Sequence, residues 1–599
     1  MLDKTEPTAE QKEILKARGR VLRINARAGT GKTTTLRMFS AEHSDRRILY
    51  LVFNKKAREE AQGRFPGNVT VKTVHSLAWG YTGREYALGD LSPRDLLPYF
   101  RSAGTRHALS RLACDFLVYF LNSPFDRIED AVGEFGDLLP SPAKDLFTRR
   151  VSRVIEATRN LAVRWYRKEL PCPHDFYLKM FHKSGDFGRA LDRFDTILVD
   201  EAQDLSGVML DALQQCRRRT VIVGDTHQQI YGFRYAVNAM DRLLSDEDHD
   251  LTLSFRFGAP VAELASLLIR EAKGEPEFTI RGNPAKKSSL SITDSIPGKN
   301  CTILSRTNFS LFANAMDLRA RKVNFRFERD IEGILWQTLD VHWLANGEKS
   351  RIRSEWIQSF EDMKAMEEYA ESCEDLQLKG MAQVVRRYGR AFPDVIYEMS
   401  AVNRNRNESA DTEGVVLSTV HASKGQEYER VCIDSDIAGM LGAGEKLDEA
   451  QYAEEVNIAY VGFTRAIGQL YLPESFESVL TPAWRDFIKS RKRDFRRAES
   501  WKTGNDATAP GAKKSRGKNG AAQAPWTFGS TPSPFRASAA KPRAKASRML
   551  PKVGVGDRVT TPHGEGIVVG LRDSDCLVKL DGQRARIWER LSSIKPPEP

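Results

Sequence analysis

The 599-residue chain has no apolar run near the roughly 20 residues that a membrane-spanning helix needs. Its first residues, Met1-Leu2-Asp3-Lys4-Thr5-Glu6-Pro7, lack the apolar core of a secretory signal. Cysteine is scarce, with seven residues at 114, 172, 216, 301, 373, 432 and 576 and no CxxC pair. That spacing suits neither a disulfide framework nor a zinc or iron–sulfur site, so a reducing, cytoplasmic setting without a membrane partner is expected. Acid is nearly missing from 501–552, where Asp506 stands against eleven Lys or Arg. Residues 553–599 balance at seven of each sign, so of the net +11 only about +1 belongs to the first 500 residues. The basicity therefore sits in a tail, and pI is weak evidence that the body binds nucleic acid. A single core stops growing at roughly 250–300 residues, so this length implies several domains.

What is present begins with Val21-Leu22-Arg23-Ile24-Asn25-Ala26-Arg27, continuing Ala28-Gly29-Thr30-Gly31-Lys32-Thr33-Thr34. A short buried strand, a glycine-bearing loop and a helix from about Lys32 make the phosphate-cradling P-loop pattern, with Ala26 in place of its usual first glycine. Gly29 and Gly31 let backbone N–H groups approach phosphate oxygens, and the helix start adds partial positive charge. Lys32 reaches the outer phosphates, and the Thr33 hydroxyl is placed to ligate Mg²⁺. Ala28, Thr30 and Thr34 complete the cradle. A nucleoside triphosphate, ATP with Mg²⁺, is the expected ligand.

Around this loop the pattern is α/β. A helix from about Ala9, with Thr8 as N-cap, carries Gln11, whose amide offers an adenine edge both a donor and an acceptor. The apolar runs Arg47–Asn54 and Val69–Ser76, joined by a helical segment, have the rhythm of a parallel sheet. Residues 79–190 then read as helices without strands, among them Ala108–Leu121 and Val151–Lys168. The sheet resumes at Thr196-Ile197-Leu198-Val199, which delivers Asp200-Glu201-Ala202-Gln203-Asp204. There Asp200 suits Mg²⁺ through water, and Glu201 suits orienting and deprotonating the attacking water. A further strand ends in Gly224-Asp225-Thr226-His227-Gln228-Gln229-Ile230-Tyr231-Gly232-Phe233-Arg234.

These runs, with Leu253-Ser254-Phe255-Arg256-Phe257-Gly258, Ile303–Asn308, Ser418–Glu427 and Asn457–Ala466, resemble the UvrD/Rep group of superfamily 1 DNA helicases in type and order. His174–Phe181, the GDTHQQIY run, LSFRFG and LSRTN look most like its F-box DNA helicase branch, although no F-box-like segment is evident at the N-terminus. The resemblance implies an α/β fold of two RecA-like domains. The first would be 1–78 with 191–252, interrupted by a helical insertion, 79–190. The second would be 253–310 with 413–495, interrupted by a reduced insertion, 311–412. A basic disordered linker, 496–552, and a small β-barrel, 553–599, would follow; the barrel resembles the Tudor-like C-terminal module of some bacterial UvrD-type helicases.

By the same resemblance Gln11 reads adenine, Phe255 stacks on it, and Gln228 senses the γ-phosphate or attacking water. Arg256 and Arg465 reach from the second domain to the γ-phosphate, and Glu427 contacts ribose or couples ATP to DNA. Phe53, Asn54, Thr73, His75, Phe233, Arg234, Thr419 and His421 would line the single-stranded DNA path, with Phe233 the best stacking candidate and core packing the alternative for Phe53. Where the family commonly writes Phe-Arg-Gly-Ala this chain has Phe233-Arg234-Tyr235-Ala236, so Tyr235 either adds a stacking surface or crowds the strand path. The implied activity is ATP-dependent 3′→5′ translocation on single-stranded DNA and at its junctions with duplex, in repair or recombination. Alternatives are a translocase that displaces bound proteins without extensive unwinding, and an adaptor recruiting a partner, RNA polymerase or a repair protein, through the barrel. The tail favours a bacterial, nucleoid-associated protein.

Overall fold

The computed structural model describes residues 6–100, 105–232, 235–294, 300–373, 375–389, 392–405, 414–442, 444 and 447–479, and the strands within 558–590. The chain divides into two compact units, 1–529 and 530–599.

The first lobe is a six-stranded, all-parallel sheet of β1 (Val21–Ala26), β2 (Ile48–Val52), β3 (Val69–Thr73), β4 (Thr196–Val199), β5 (Arg219–Gly224) and β6 (Glu247–Leu251). Its order is β3-β2-β4-β5-β1-β6. Helices cover both faces, which is why β2 and residues 197–199 of β4 are apolar without alternation and both strands are buried at every residue. β5 lies between β1 and β4, so the P-loop, the Asp200-Glu201 pair and the Asp225–Gln228 turn leave one edge of the sheet side by side.

The apolar run from Val69 does not stay extended to Ser76. The Thr73 hydroxyl accepts from Ser76 N–H and starts the helix Val74–Trp79, so a cap overrides the β-branched pattern.

The second lobe repeats the plan with β7 (Ser289–Ile292), β8 (Thr302–Ser305), β9 (Phe325–Phe327), β10 (Val415–Thr419), β11 (Tyr428–Ile433) and β12 (Ala466–Leu472), in the order β7-β12-β11-β8-β10-β9. β9 falls inside the stretch expected to be insertion. Its three residues pair in parallel with β10, so the sheet extends past residue 311. The first insertion includes the helices Arg106–Asn122, Ser141–Tyr166 and His174–Lys183 around a core of Phe116, Phe135, Phe147 and Trp165. The second places the helices Glu332–Ala345, Met363–Ser372, Leu376–Tyr388 and Phe392–Arg404 between β9 and β10.

The two insertions touch. Arg94 pairs with Glu355, and Arg111 reaches Asp375 at 3.3 Å. His107 stacks on Phe360 with centroids 4.1 Å apart and meets the Ser359 hydroxyl at 2.9 Å. Burial and neighbouring Arg106 pull the His107 pKa down to about 4. Beside these contacts lies a cavity of about 980 Å³, lined by Arg94, Arg111, Arg306, Phe309, Trp356 and His421 among others.

In the C-terminal unit, β13 (Arg558–Thr561), β14 (Gly564–Arg572), β15 (Asp575–Leu580) and β16 (Arg586–Arg590) form an antiparallel sheet in sequence order. The expected linker, 496–552, lies outside the described residues. Among the described residues no helix is long and apolar enough to cross a membrane.

Candidate active site at the seam of the two lobes

The P-loop is pressed against the second lobe. Gly29 and Gly31 have φ of 72° and 79°, a region that disfavours side chains. A Cβ at Gly29 would also lie 2.7 Å from Ser254 Oγ and 2.8 Å from Arg256 Cβ, so no other residue fits there without displacement. Gly31 starts the eleven-residue helix Lys32–Glu42 with no side-chain cap, leaving its first N–H groups to an anion. Thr34 lies on that first turn, Thr30 turns its hydroxyl back to the Arg27 carbonyl, and Ala28 is buried.

Lys32 Nζ sits 2.9 Å from Glu201 Oε1. Burial opposes the Lys32 charge, yet Glu201 and Asp200 hold its pKa above the ordinary value. Burial likewise raises Glu201, but Lys32 and Lys424 outweigh it and bring the carboxyl down to about 2. Burial and the neighbouring Glu201 charge push Asp200 the other way. Asp200 Oδ2 accepts from Tyr50 at 2.6 Å and from Thr33 Oγ1 at 3.5 Å. A hydroxyl beside a carboxylate is the hard oxygen set that Mg²⁺ takes, so these residues fit it. Glu201 is itself in the left-handed region, φ 52°, a strained placement of the kind that gathers at functional sites.

Several residues of this site were not singled out in the sequence. Gln203 donates to Glu201 Oε2 at 2.5 Å and accepts from Asp225 N–H at 3.1 Å. Asp225 in turn accepts at Oδ2 from Gln228, the residue expected to sense the γ-phosphate, at 2.7 Å. Tyr460, fully buried and from the second lobe, donates to the same oxygen at 3.1 Å and accepts from Ala28 N–H at 3.3 Å. One hydroxyl thus ties the P-loop to the Gln228 turn. Lys424, also from the second lobe, donates to Asp204 and to the Gln228 carbonyl at 2.7 Å. Burial lifts the Asp204 pKa to about 6 against the pull of Lys424. All these residues lie in or beside the motif runs; what the sequence could not give was their partners.

Both arginines face this cluster. Arg256 is held by Glu427 at 2.8 Å and by the Thr464 carbonyl at 2.7 Å. Its Nε is buried without a hydrogen-bond partner among the described residues. Arg465, 1% exposed, donates to the Val461 carbonyl at 3.0 Å and the Gln426 carbonyl at 3.2 Å. Burial and the adjacent Arg256 charge lower its pKa to about 9, with Glu427 and Glu201 opposing. Phe255 and Gln11 flank Gly31, at 3.4 and 3.7 Å from where its Cβ would be, and Phe255 is 41% exposed. The Gln11 amide already bonds Thr8 N–H and the Thr35 hydroxyl, which leaves it one N–H and one lone pair for a base.

A second group gathers at other strand ends. Phe53, 38% exposed, stacks on Tyr231 with centroids 5.6 Å apart and planes 10° from parallel. Lys424 lies over the Tyr231 ring at 4.9 Å, and His421 is 6.4 Å from it. Asn54, Thr73 and Thr419 each cap the helix that follows them. His75 pairs with Asp175 at 3.0 Å. Burial and Arg306 lower His421 to about 4, so it is neutral at pH 7. Phe233 and Arg234 lie outside the described residues. Tyr235 adopts φ 54°, where glycine is at ease, and packs edge-on against Tyr119 at 5.2 Å. Its ring is docked in the core of the first insertion.

Two parallel-sheet lobes, with a P-loop on one and paired arginines brought to it by the other, define a RecA-like P-loop architecture. The chain belongs to the UvrD-like superfamily 1 helicases: residues 11–234 match the family model described as an AAA domain, and 315–475 that of the UvrD-like helicase C-terminal domain. It is 28% identical over 529 residues to F-box DNA helicase 1 of Gallus gallus, covering 82% of this chain and 51% of that protein. It is 30% identical over 517 residues to F-box DNA helicase protein 1 of Schizosaccharomyces pombe, covering 78% and 57%. A shorter match, 34% over 79 residues, is to ATP-dependent DNA helicase PcrA of Bacillus subtilis, 13% of this chain and 11% of that protein. The chain spans about half the length of the first two relatives. Both come from eukaryotes, so these comparisons do not support the bacterial source expected from the tail.

Proposed function

We propose that this chain is an ATP-dependent DNA helicase that moves 3′→5′ along single-stranded DNA and acts at single-strand/duplex junctions in repair or recombination. The observation that carries the proposal is the seam itself, where Lys32 bonds Glu201 in one lobe and Arg256 of the other lies against Gly29 of the P-loop, with Arg256 and Arg465 both donating to Thr464.

ATP enters with its phosphates on the Gly29–Thr34 cradle, its base between Gln11 and Phe255, and Lys32 exchanges Glu201 for phosphate oxygens. Thr33 and Asp200 would hold Mg²⁺, which would neutralise phosphate charge. Glu201, freed from Lys32 and with the Lys424 charge still favouring its ionised form, takes the proton of the attacking water, while Gln228 orients that water. Arg256 turns from Glu427 to the γ-phosphate and Arg465 joins it, stabilising the charge that develops in phosphoryl transfer, an effect of about 10³–10⁵ in arginine-finger systems.

Loss of the γ-phosphate loosens the lobes. The Lys424 contact to the Gln228 turn passes that change to Tyr231, Phe53 and His421, where a base can stack without its identity being read. The four-stranded C-terminal sheet docks a partner such as RNA polymerase or a repair protein.

The test is ATP turnover with and without single-stranded DNA, in the wild type and in Glu201→Gln. Strong stimulation by DNA that disappears in the variant is expected; turnover indifferent to DNA would overturn the proposal.

A further inference from the structure

Tyr235 stands at φ 54°, where a glycine would be at ease and a bulky side chain is an outlier. A tyrosine persists there only when its surroundings over-determine it. Two sets of contacts do so. On one side, its segment is closed onto the Gln228 turn. Tyr235 N–H donates to the Gly232 carbonyl at 2.9 Å, Gln229 to the Ala236 carbonyl at 3.2 Å, and Asn238 to the Thr226 hydroxyl at 3.2 Å. Val237 N–H adds a bond of 2.6 Å to the carbonyl of Leu205, next to Asp204. The chain thus leaves the Gln228 turn and comes back beside it, with Tyr235 inside the loop so formed.

On the other side, the first insertion holds the ring. It meets Tyr119 edge-on at 5.2 Å and Phe135 at 6.1 Å. Tyr119 is itself pinned, its hydroxyl donating to Glu134 at 2.7 Å. It lies toward the end of the helix Arg106–Asn122, whose Leu109, Leu112, Phe116 and Phe120 are buried in the insertion core. The start of that helix carries the contact to the second insertion, with His107 on Phe360 and Arg111 reaching Asp375. From Tyr119 back to His107 is about 18 Å along the helix axis.

We infer that Tyr235 is a positioning residue that couples the nucleotide seam to the contact between the insertions, with the helix Arg106–Asn122 as the rigid arm between them. The inference rests on the nucleotide site proposed above and adds a residue outside that site. A shift of the Gln228 turn moves Tyr235, because the bonds from Gln229 and Asn238 close the loop at its neck. The arm is packed along its length, so it passes the motion from Tyr119 to His107 instead of absorbing it. Glycine, which the family commonly has at this position, would leave the arm unattached. Coupling of this kind is reciprocal: if nucleotide alters the contact between the insertions, breaking that contact alters nucleotide affinity by the same factor.

The experiment measures equilibrium binding of a fluorescent, non-hydrolysable ATP analogue with Mg²⁺ to the full chain. Four proteins form a cycle: the wild type, Arg94→Ala/His107→Ala, Tyr235→Gly, and the combination. The double change removes Arg94 from Glu355 and His107 from Phe360, breaking the contact between the insertions. In the wild type this is expected to change analogue affinity by about five-fold or more, the lower reach of coupling between sites. In the Tyr235→Gly background the same change is expected to stay within about two-fold, as for independent sites. Tyr235→Phe, which keeps the ring, is expected to retain the wild-type response. A tyrosine that merely filled the insertion core would lower stability and leave the two changes additive. If Tyr235→Gly does not fold, Tyr119→Leu, which alters the receiving side of the joint, is read in its place. A shift of equal size with and without the Tyr235 ring, or no shift in the wild type, overturns the coupling. A wild type that does not bind the analogue would instead overturn the nucleotide site, so the two failures are distinguishable.

Discussion

The two lobes are variants of one plan. Traced across the sheet, the second lobe runs β10-β8-β11-β12-β7, matching β3-β2-β4-β5-β1 of the first; β6 and β9 are additions at opposite edges. The match extends to side chains. β3 and β10 end in Thr73-Val74-His75 and Thr419-Val420-His421, with both threonines capping the next helix at nearly the same φ and ψ. The difference lies at the ends of the other strands. β1 runs into the glycine loop, whereas β7 is followed by Thr293-Asp294-Ser295-Ile296-Pro297. β4 leads to Asp200-Glu201 facing Lys32, while β11 leads to Asp434 and Asp436, whose carboxylates hold their own lobe together. Asp434 accepts from Ser305 at 2.7 Å, and Asp436 accepts the N–H groups of Arg306 and Thr307 at 2.9 and 3.1 Å. The repeated fold differs in what it carries: one copy bears the P-loop, and the other brings Arg256, Lys424 and Tyr460 into contact with it or with the strand ends beside it.

That division can be broken experimentally. The largest effect is expected from Arg256→Ala, a fall of about 10³–10⁵ in ATP turnover with nucleotide still bound by the first lobe, measured by turnover and equilibrium nucleotide binding. Glu201→Gln is expected to cost about 10²–10⁴ in turnover without loss of fold. At the end of the matching second-lobe strand, Asp434→Asn should do the reverse: thermal unfolding shows a loss of about 1–3 kcal/mol while turnover at low temperature persists. Turnover lost equally in both would abolish the distinction between the lobes.

Tyr460→Phe keeps the ring packing and removes only the hydroxyl between Ala28 and Asp225. It is expected to weaken coupling by about 0.5–1.5 kcal/mol, read as a several-fold change in the KM for ATP. The smallest effect concerns the insertions. His107 has a lowered pKa where it packs on Phe360, so it takes up a proton more readily when the insertions part. Their contact should be favoured above about pH 6.5 and weaken as pH falls toward about 4. A distance measured between labels on the two insertions should report this, and His107→Phe should flatten it.

Much of the site was legible because its chemistry is local. Gly29, Gly31, Lys32 and Thr33 lie within one short turn of chain, and Asp200 and Glu201 follow one largely apolar strand. Tyr460, Lys424 and Tyr231 were invisible as contacts because their partners are over 160 residues away, and a buried tyrosine reads as core until its hydroxyl is placed. Tyr235 illustrates the same limit. The departure from glycine was visible, but its docking against Tyr119 of the insertion needed the tertiary structure. β9 escaped notice because three residues carry too little periodicity to announce a strand. Asn54, Thr73 and Thr419, expected along the DNA path, also cap the helices that follow them, a local role that the sequence reading did not assign.

The most direct measurement is a structure of the chain with Mg²⁺ and a non-hydrolysable ATP analogue. If the seam clamps the triphosphate, the γ-phosphate will lie at hydrogen-bonding distance, roughly 2.7–3.2 Å, from Lys32, Arg256 and Arg465 together. A γ-phosphate held by Lys32 alone, with Arg256 still on Glu427 and Arg465 still on the Val461 and Gln426 carbonyls, would contradict the clamp.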